Sequence, residues 1–309
     1  MSAITVKLYP SAKEPYKGPL NVLRLCLTEA RPAVQVMFFL RYMCGGVLAA
    51  QGHGLPLIRL VVGGVVWECG VVFVYLFNGA MDVAEDQINL SGRPIARGIL
   101  RPATAGRVAA GFAVAAVLGG FALGRTLGLL VSALLVLGCL YSGPPFYLKR
   151  GVASGGITGS LGGLVTYVAG CAVVGGAVIP STAAIFALAM SVWMGLVGSI
   201  TKDLSDVAGD AAAGRRTAAL MFGETKARLA ASGAALAVGA VFLVTAAPIV
   251  TPLAWPAVTV ECGALALAAV SLPKFSAGNS TRCRRPYRAF MVTQYAAHLA
   301  LLSTLALSA

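Results

Sequence analysis

Charged residues are scarce in this chain of 309 residues, and acidic ones are the scarcest. Only 11% of the residues are charged and only eleven are Asp or Glu, whereas an average soluble domain is about 25% charged. There are two histidines and seven scattered cysteines, with no C-x-x-C pair. These shortages argue against a soluble globular domain, a Ser-His-Asp triad, a histidine-rich metal site, a zinc site and a disulfide framework.

Long apolar runs fill most of the chain instead. The apolar fraction is 58% and the mean hydropathy is +0.83. A hydrocarbon layer of ~30 Å requires about 20 apolar residues per crossing helix. We therefore predict an all-α polytopic membrane protein with nine transmembrane helices around a central cavity. The stretches are 33–50, 55–80, 105–123, 126–142, 152–178, 182–200, 227–247, 251–272 and 287–308.

Basic residues outnumber acidic ones and give a net charge of +13. Nearly all of them fall in residues 1–32 or in alternate loops, which is the positive-inside pattern. We expect an integral protein of a bacterial cell membrane, with the N-terminus cytoplasmic and the C-terminus outside. Residues 1–32 lack the apolar core of a signal peptide. They are predicted as a cytoplasmic segment before a single transmembrane domain, 33–309. Because topology and anionic lipid explain the charge, no nucleic-acid partner is expected.

Six of the eleven acidic residues lie in two short clusters, at 82–86 and 203–210. Their spacing, N-x-x-x-D-x-x-x-D and D-x-x-D-x-x-x-D, predicts two rows of carboxylates, each on one helical face. Crowded carboxylates repel one another unless a cation lies among them. Mg²⁺ takes one or two carboxylates together with substrate phosphate oxygens. We therefore predict two Mg²⁺ ions and a phosphorylated substrate, with the candidate ligands Asn78, Asp82, Asp86, Asp203, Asp206 and Asp210.

Both acidic clusters follow predicted helices that end on the cytoplasmic side, the second and the sixth. We expect these two loops to form a cap over the cytoplasmic mouth of the cavity. Basic residues in these two loops and in the loop after the fourth helix would bind a diphosphate: Arg93, Arg97, Lys149, Lys202 and Arg216. If the substrate is a prenyl diphosphate, loss of the diphosphate leaves an allylic cation, which aromatic side chains would stabilise. If that cation is transferred to a separate acidic acceptor, Arg41 would bind the acceptor. The aromatic candidates for this pocket are Tyr141, Tyr75 and Trp193.

Three sequence segments resemble the UbiA superfamily of membrane prenyltransferases. NGAMDVAEDQINLSGRPIARG is similar to the first signature of the superfamily and KDLSDVAGDAAAGRRT to the second. YSGPPFYLKR is similar to its segment after the fourth helix, and the Arg31-Pro32 pair before the first helix also fits. In one departure, Ala96-Arg97 stands where many members carry a small residue after R-P-I.

This resemblance implies Mg²⁺-dependent transfer of an isoprenyl group from a prenyl diphosphate to an aromatic or other lipophilic acceptor. The acidic rows would hold the metal and the diphosphate, and Arg93, Lys149 and Lys202 would contact the diphosphate. Some members are terpene cyclases, which ionise the same donor without an acceptor. Because both reactions need the same acidic rows, the motifs leave both open. A transporter would need polar residues near the bilayer midplane, whereas the acids here lie at predicted helix ends.

Overall fold

The chain forms a bundle of long apolar helices. The computed structural model describes residues 18–51, 54–175, 179–246 and 251–307. Within these ranges, nine helices are long and apolar enough to cross a membrane, which confirms the predicted helix number and the all-α class. In chain order, spanning helices 1 to 9 are Pro32–Ala49, Leu57–Met81, Pro102–Leu123, Arg125–Ser142, Val152–Val173, Ser181–Asp203, Glu224–Ala246, Ala254–Ser271 and Ser280–Leu307.

The predicted helix ends mostly agree with the structure, and the ninth helix differs most. It begins at Ser280, whereas the apolar pattern predicts a start at 287. The Asn279 side chain accepts a hydrogen bond of 3.0 Å from the Arg282 backbone N–H, so a polar cap starts the helix before the apolar region. Hydropathy detects only the part of a helix that is suited to lipid. Residues 1–17 of the predicted N-terminal segment and 176–178, 247 and 308 of the predicted helices lie outside the described residues.

A short amphipathic helix, Pro19–Glu29, precedes spanning helix 1. It exposes Leu20 and Leu27 and buries Cys26 and Glu29. Its buried side packs in one hydrophobic cluster with residues of helices 2 and 3. An apolar outer face on such a helix is suited to the membrane interface.

Small residues bring spanning helices 1 and 5 into backbone contact. A Cβ atom added at Gly45 would overlap the carbonyl oxygen of Tyr167, and one at Gly170 would overlap that of Tyr42. Without a hydrophobic force between helices in lipid, such close packing is a main source of helix association. This contact also sets Arg41 of helix 1 close to Tyr167 of helix 5.

Spanning helix 6 widens into a π-helical segment, Trp193–Gly198, before it ends at Asp203. π-Segments within α-helices are frequent at functional sites. Here the segment sets Met194 and Gly195 on the wall of a central cavity. It therefore changes which side chains of helix 6 face inward relative to a regular helix.

We predict that Gly170→Ala destabilises the protein by about 1–3 kcal/mol, because the added methyl group overlaps the backbone of helix 1. Gly111→Ala is the matched control. Gly111 lies in spanning helix 3 with no atom of another residue near its added Cβ, and alanine favours helix more than glycine does. Thermal unfolding in detergent should show a lowered midpoint for Gly170→Ala alone. Equal midpoints for the two variants would contradict the assigned helix contact.

Candidate functional site

The first acidic motif lies where spanning helix 2 breaks. The helix ends at Met81, Asp82 leaves helical geometry at φ −99° and ψ 16°, and the short helix Val83–Ile88 follows. The expectation of one continuous helical row over 78–86 is therefore wrong. The Asp82 carboxylate caps neither helix end, since it pairs with Lys149 and, at 3.3 Å, with Arg215.

The second motif repeats this geometry. Asp206 lies between spanning helix 6 and the short helix Val207–Ala212, at φ −113° and ψ 13°. Asp86 and Asp210 occupy the first turns of the two short helices, and the backbone N–H of each donates to the carbonyl of Asp82 or Asp206 at 2.9 Å. The two segments have similar sequences, DVAED at 82–86 and DVAGD at 206–210, and each forms a helix–Asp–helix unit.

The two short helices lie against each other. The Gly209 backbone N–H donates a hydrogen bond of 2.8 Å to Asn89 Oδ1. A Cβ atom at Gly209 would lie 2.5 Å from the Glu85 carbonyl oxygen, so only glycine fits this contact. Arg215 joins the motifs electrostatically, because it pairs with Asp82 and Glu85 of the first and, at 3.4 Å, with Asp210 of the second. Both motifs are therefore at one end of the bundle.

A cavity of about 210 Å³ opens beneath this junction. Its polar end is formed by the two acidic motifs and their basic partners. Its walls come from spanning helices 1, 2, 4, 5, 6 and 9, and Gly155 and Gly159 of helix 5 contribute backbone to them. The predicted site residues that line it are Asn78, Asp82, Asp86, Asp206, Asp210, Arg93, Lys149, Lys202, Tyr75, Tyr141 and Arg41.

Four predicted site residues lie elsewhere. Asp203 pairs with its neighbour Lys202 at 3.0 Å and lines a smaller adjoining cavity instead. Arg97 and Arg216 are exposed. Trp193 is fully buried behind Phe290, with which it stacks at a ring-centroid distance of 6.2 Å. Because Phe290 lines the cavity, it takes the place expected for the tryptophan.

Several cavity residues escaped the sequence analysis, and Arg215 is the most important of them. Arg215 is buried, whereas the side chain of its neighbour Arg216 is exposed. The backbone N–H of Arg216 donates a hydrogen bond of 2.7 Å to the Arg150 carbonyl oxygen. Two adjacent arginines in a loop carry no periodicity that tells which one points inward. The other lining residues missed near the polar end are Arg31, Glu85 and Asn89.

Arg93 is held between the N-terminal helix and the first acidic motif. Its guanidinium lies 3.2 Å from the Glu29 carboxylate and also pairs with Asp86. Glu29 is fully buried and accepts a hydrogen bond of 2.9 Å from the Ile95 backbone N–H. Burial lowers the pKa of Arg93 to about 10, so the guanidinium remains charged at neutral pH.

Burial opposes charge of both signs at this end of the cavity. It raises the pKa of the Asp210 carboxyl to about 6. Burial, together with Arg215 and Lys202, lowers the pKa of Lys149 to about 7. An added cation would favour the ionised Asp210, and an added anion would favour the protonated Lys149. A metal ion bound together with an anionic group would do both.

The donor set fits Mg²⁺. It consists of carboxylate and amide oxygens, the ligands that this ion prefers, and one or two carboxylates suffice when phosphate oxygens complete the shell. Across the described ranges, no three His, Cys, Asp or Glu side chains form a ready metal cluster, since basic residues separate the acids. One buried oxygen, Oδ2 of Asp210, has no hydrogen-bond partner among the described residues.

The other end of the cavity holds a single buried cation, Arg41, which is 1% exposed. Its guanidinium donates to the Gln294 side chain and to the Met194 sulfur, and it lies 5.3 Å from the Phe38 ring centre. Within the described part of the chain, no carboxylate lies within ion-pair distance of it. An ionisable side chain so placed within a membrane protein is a functional-site candidate.

Comparison with known proteins gives consistent similarities. The sequence model of the UbiA prenyltransferase family matches residues 39–294. The digeranylgeranylglyceryl phosphate synthase of Halobacterium salinarum is 34% identical over 211 residues, which cover 66% of this chain and 68% of that protein.

Solved structures show the same fold at lower identity. A UbiA homologue from Archaeoglobus fulgidus bound to GPP and Mg²⁺ gives a TM-score of 0.65 at 19% identity, covering 89% of this chain and 99% of that one. The same homologue bound to DMAPP and Mg²⁺ gives 0.64 at 19% identity with the same coverage.

We predict that Arg215→Gln destabilises the protein by roughly 3–5 kcal/mol, because it leaves buried carboxylates of both motifs without their shared cation. Arg216→Gln removes the same charge one residue later from an exposed side chain, and its effect should stay within about 0.5 kcal/mol. Thermal or denaturant unfolding in detergent distinguishes the two variants. A loss of stability in Arg216→Gln as large as in Arg215→Gln would contradict the assigned ion pairs.

Proposed function

The chain belongs to the UbiA prenyltransferase family, and on that premise we propose that it transfers an isoprenyl group from a prenyl diphosphate to a lipophilic acceptor in a Mg²⁺-dependent reaction. As a member of this family with nine apolar helices, it is an integral membrane prenyltransferase. The observation that carries the finer proposal is the meeting of two acidic motifs and several basic side chains at one end of an intramembrane cavity.

The diphosphate of the donor would bind at the polar end. Two Mg²⁺ ions would be held there by Asn78, Asp82, Asp86, Asp206 and Asp210, and they would neutralise the diphosphate and stabilise it as a leaving group. Binding of a prenyl diphosphate together with Mg²⁺ is supported by the A. fulgidus homologue, whose structures contain GPP or DMAPP with Mg²⁺. Asp203 is left out of the set, because its carboxylate pairs with Lys202 outside the main cavity.

Basic side chains would stabilise the negative charge that develops on the diphosphate. Arg93, Lys149, Lys202 and Arg215 line the polar end and would donate hydrogen bonds to the departing oxygens. The carbon–oxygen bond breaks with its electron pair on the diphosphate, which leaves an allylic cation. Tyr75 and Tyr141 on the cavity wall would stabilise this cation through their ring faces and keep water away from it.

Arg41 favours transfer to an acceptor over cyclisation. A guanidinium at the apolar end of the cavity would repel a carbocation. This repulsion disfavours cyclisation of a prenyl cation next to Arg41. The same group is suited to a carboxylate or phosphate, which it can bind in bidentate fashion. An acceptor whose own carboxylate or phosphate is bound by Arg41 would attack the allylic cation with a carbon or oxygen nucleophile and then lose a proton.

We also propose an orientation and a domain arrangement. The positive-inside pattern supports a cytoplasmic N-terminus, an outside C-terminus and an acidic end of the cavity that faces the cytoplasm. Residues 33–309 would form one transmembrane domain after the N-terminal segment 1–32, with the two short helices as its cap. A bacterial cell membrane is the proposed location.

We predict that Asp82→Asn and Asp206→Asn each lower Mg²⁺-dependent turnover of a prenyl diphosphate by roughly 10²–10³-fold, since each removes a charge that acts on the leaving group. Asp203→Asn is the matched control and should lower it by about tenfold or less, since Asp203 would act only through Lys202. Diphosphate release from GPP in the presence of an acceptor, with and without EDTA, measures the effect. Equal losses in all three variants would contradict the ligand assignment.

We further predict that purified protein consumes GPP with Mg²⁺ only when an acceptor is present. The test compares reactions with no acceptor, with 4-hydroxybenzoate and with geranylgeranylglyceryl phosphate, followed by analysis of the organic extract. A prenylated acceptor is the expected product. A cyclic hydrocarbon or alcohol formed without acceptor would establish the cyclase alternative instead, and solute flux without diphosphate release would indicate a transporter.

A further inference from the structure

Two buried polar side chains lie behind Arg41, outside the cavity wall. Tyr167 of helix 5 is 1% exposed and His298 of helix 9 is 0% exposed. The Tyr167 hydroxyl lies 2.5 Å from His298 Nε2, and His298 Nδ1 lies 2.7 Å from the backbone carbonyl oxygen of Gln294. The reaction proposed above uses neither residue. Ionisable side chains buried within a membrane protein are costly and therefore indicate a function.

The chemistry of these groups sets the direction of each hydrogen bond. A carbonyl oxygen can only accept, so His298 carries its proton on Nδ1 and presents a lone pair at Nε2. Tyr167 therefore donates its single hydroxyl hydrogen to His298 Nε2. The phenol oxygen keeps its lone pairs, and its partial negative charge is electrostatically favourable for the Arg41 guanidinium.

Gln294 connects Arg41 to His298. Arg41 donates to the Gln294 side-chain oxygen, while the backbone carbonyl of Gln294 fixes the ring of His298. Arg41 is thus hydrogen-bonded to residues of helices 6 and 9, and Gln294 links it to His298 and Tyr167. Such linked hydrogen bonds are strong in a low-dielectric interior and specify a single arrangement.

We propose that Tyr167 and His298 are positioning residues that hold Arg41 at the apolar end of the cavity, where it binds the oxyanion of the acceptor. A long arginine side chain in a membrane protein otherwise extends towards polar surroundings, and here the acidic motifs form the other end of the same cavity. The network holds the guanidinium away from those acids and available to an incoming carboxylate or phosphate. This inference rests on the proposed prenyl transfer.

The test uses steady-state kinetics with GPP as donor and two acceptor probes. 4-Hydroxybenzoate carries a carboxylate and geranylgeranylglyceryl phosphate carries a phosphate, so the pair identifies which oxyanion Arg41 binds. Tyr167→Phe should raise the acceptor KM roughly tenfold, because it leaves the buried His298 Nε2 without its donor and removes the phenol oxygen that faces Arg41. It should leave the KM of GPP unchanged. The matched control is Tyr42→Phe, which removes an equally buried hydroxyl that has no hydrogen-bond partner among the described residues. It should change neither constant.

A double-mutant cycle separates positioning from general structural damage. In an Arg41→Gln background, Tyr167→Phe should cause no further rise in the acceptor KM. His298→Gln, which can still accept from the Tyr167 hydroxyl, should stay near wild type, whereas His298→Leu should behave like Tyr167→Phe. The two histidine variants test the same chain of hydrogen bonds if Tyr167→Phe does not fold.

Each result decides the inference. An unchanged acceptor KM in folded Tyr167→Phe, effects of Arg41→Gln and Tyr167→Phe that simply multiply, or equal effects of the two histidine variants would overturn it while the proposed function stands. A wild-type protein that transfers the prenyl group to neither probe would overturn the proposed acceptor chemistry, and the inference with it.

Discussion

The bridge that Arg215 makes between the two acidic motifs is the interaction on which the site depends. Asp82, Glu85 and Asp210 come from segments more than 100 residues apart in the chain, and one buried guanidinium contacts all three. Buried carboxylates without a cation cost several kcal/mol, so their positions are tied to that of Arg215. The two helix–Asp–helix units are thereby fixed over the same end of one cavity.

Breaks in spanning helices 2 and 6 place the carboxylates where Arg215 can contact them. Asp82 directly follows spanning helix 2, and two residues separate Asp206 from the end of spanning helix 6. Each of these aspartates starts a short helix that carries a second aspartate in its first turn. The break redirects these carboxylates from a helix surface towards the space between the motifs. Gly209, which has no room for a side chain, lets the short helices approach closely enough to share Arg215. Two small departures from regular helix therefore create the polar end of the cavity.

Bilayer thickness made the fold predictable from sequence, whereas side-chain direction was not predictable. Nine apolar stretches of sufficient length define nine helices, because lipid leaves few alternatives for a backbone whose polar groups must be satisfied internally. The choice between Arg215 and Arg216 depends on a loop conformation without periodicity. The exchange of Trp193 for Phe290 on the cavity wall depends on the π-segment of helix 6, which no spacing rule reveals. The hydrogen-bond partners of Arg41, Met194 and Gln294, lie 153 and 253 residues further along the chain, beyond the reach of any local pattern.

The two ends of the cavity impose different chemical demands, and together they favour group transfer. At the polar end, burial opposes the ionised form of Asp210 and the charged form of Lys149, a tension that a metal–diphosphate complex would relieve. At the apolar end, neutral partners hold a guanidinium that has no anionic neighbour among the described residues. A terpene cyclase, which closes a carbocation on itself, does not need a positive charge at this end of the cavity. A prenyltransferase would use it to bind the oxyanion of an acceptor, which would neutralise the charge. The cavity thus has one end suited to a leaving diphosphate and another suited to the molecule that replaces it.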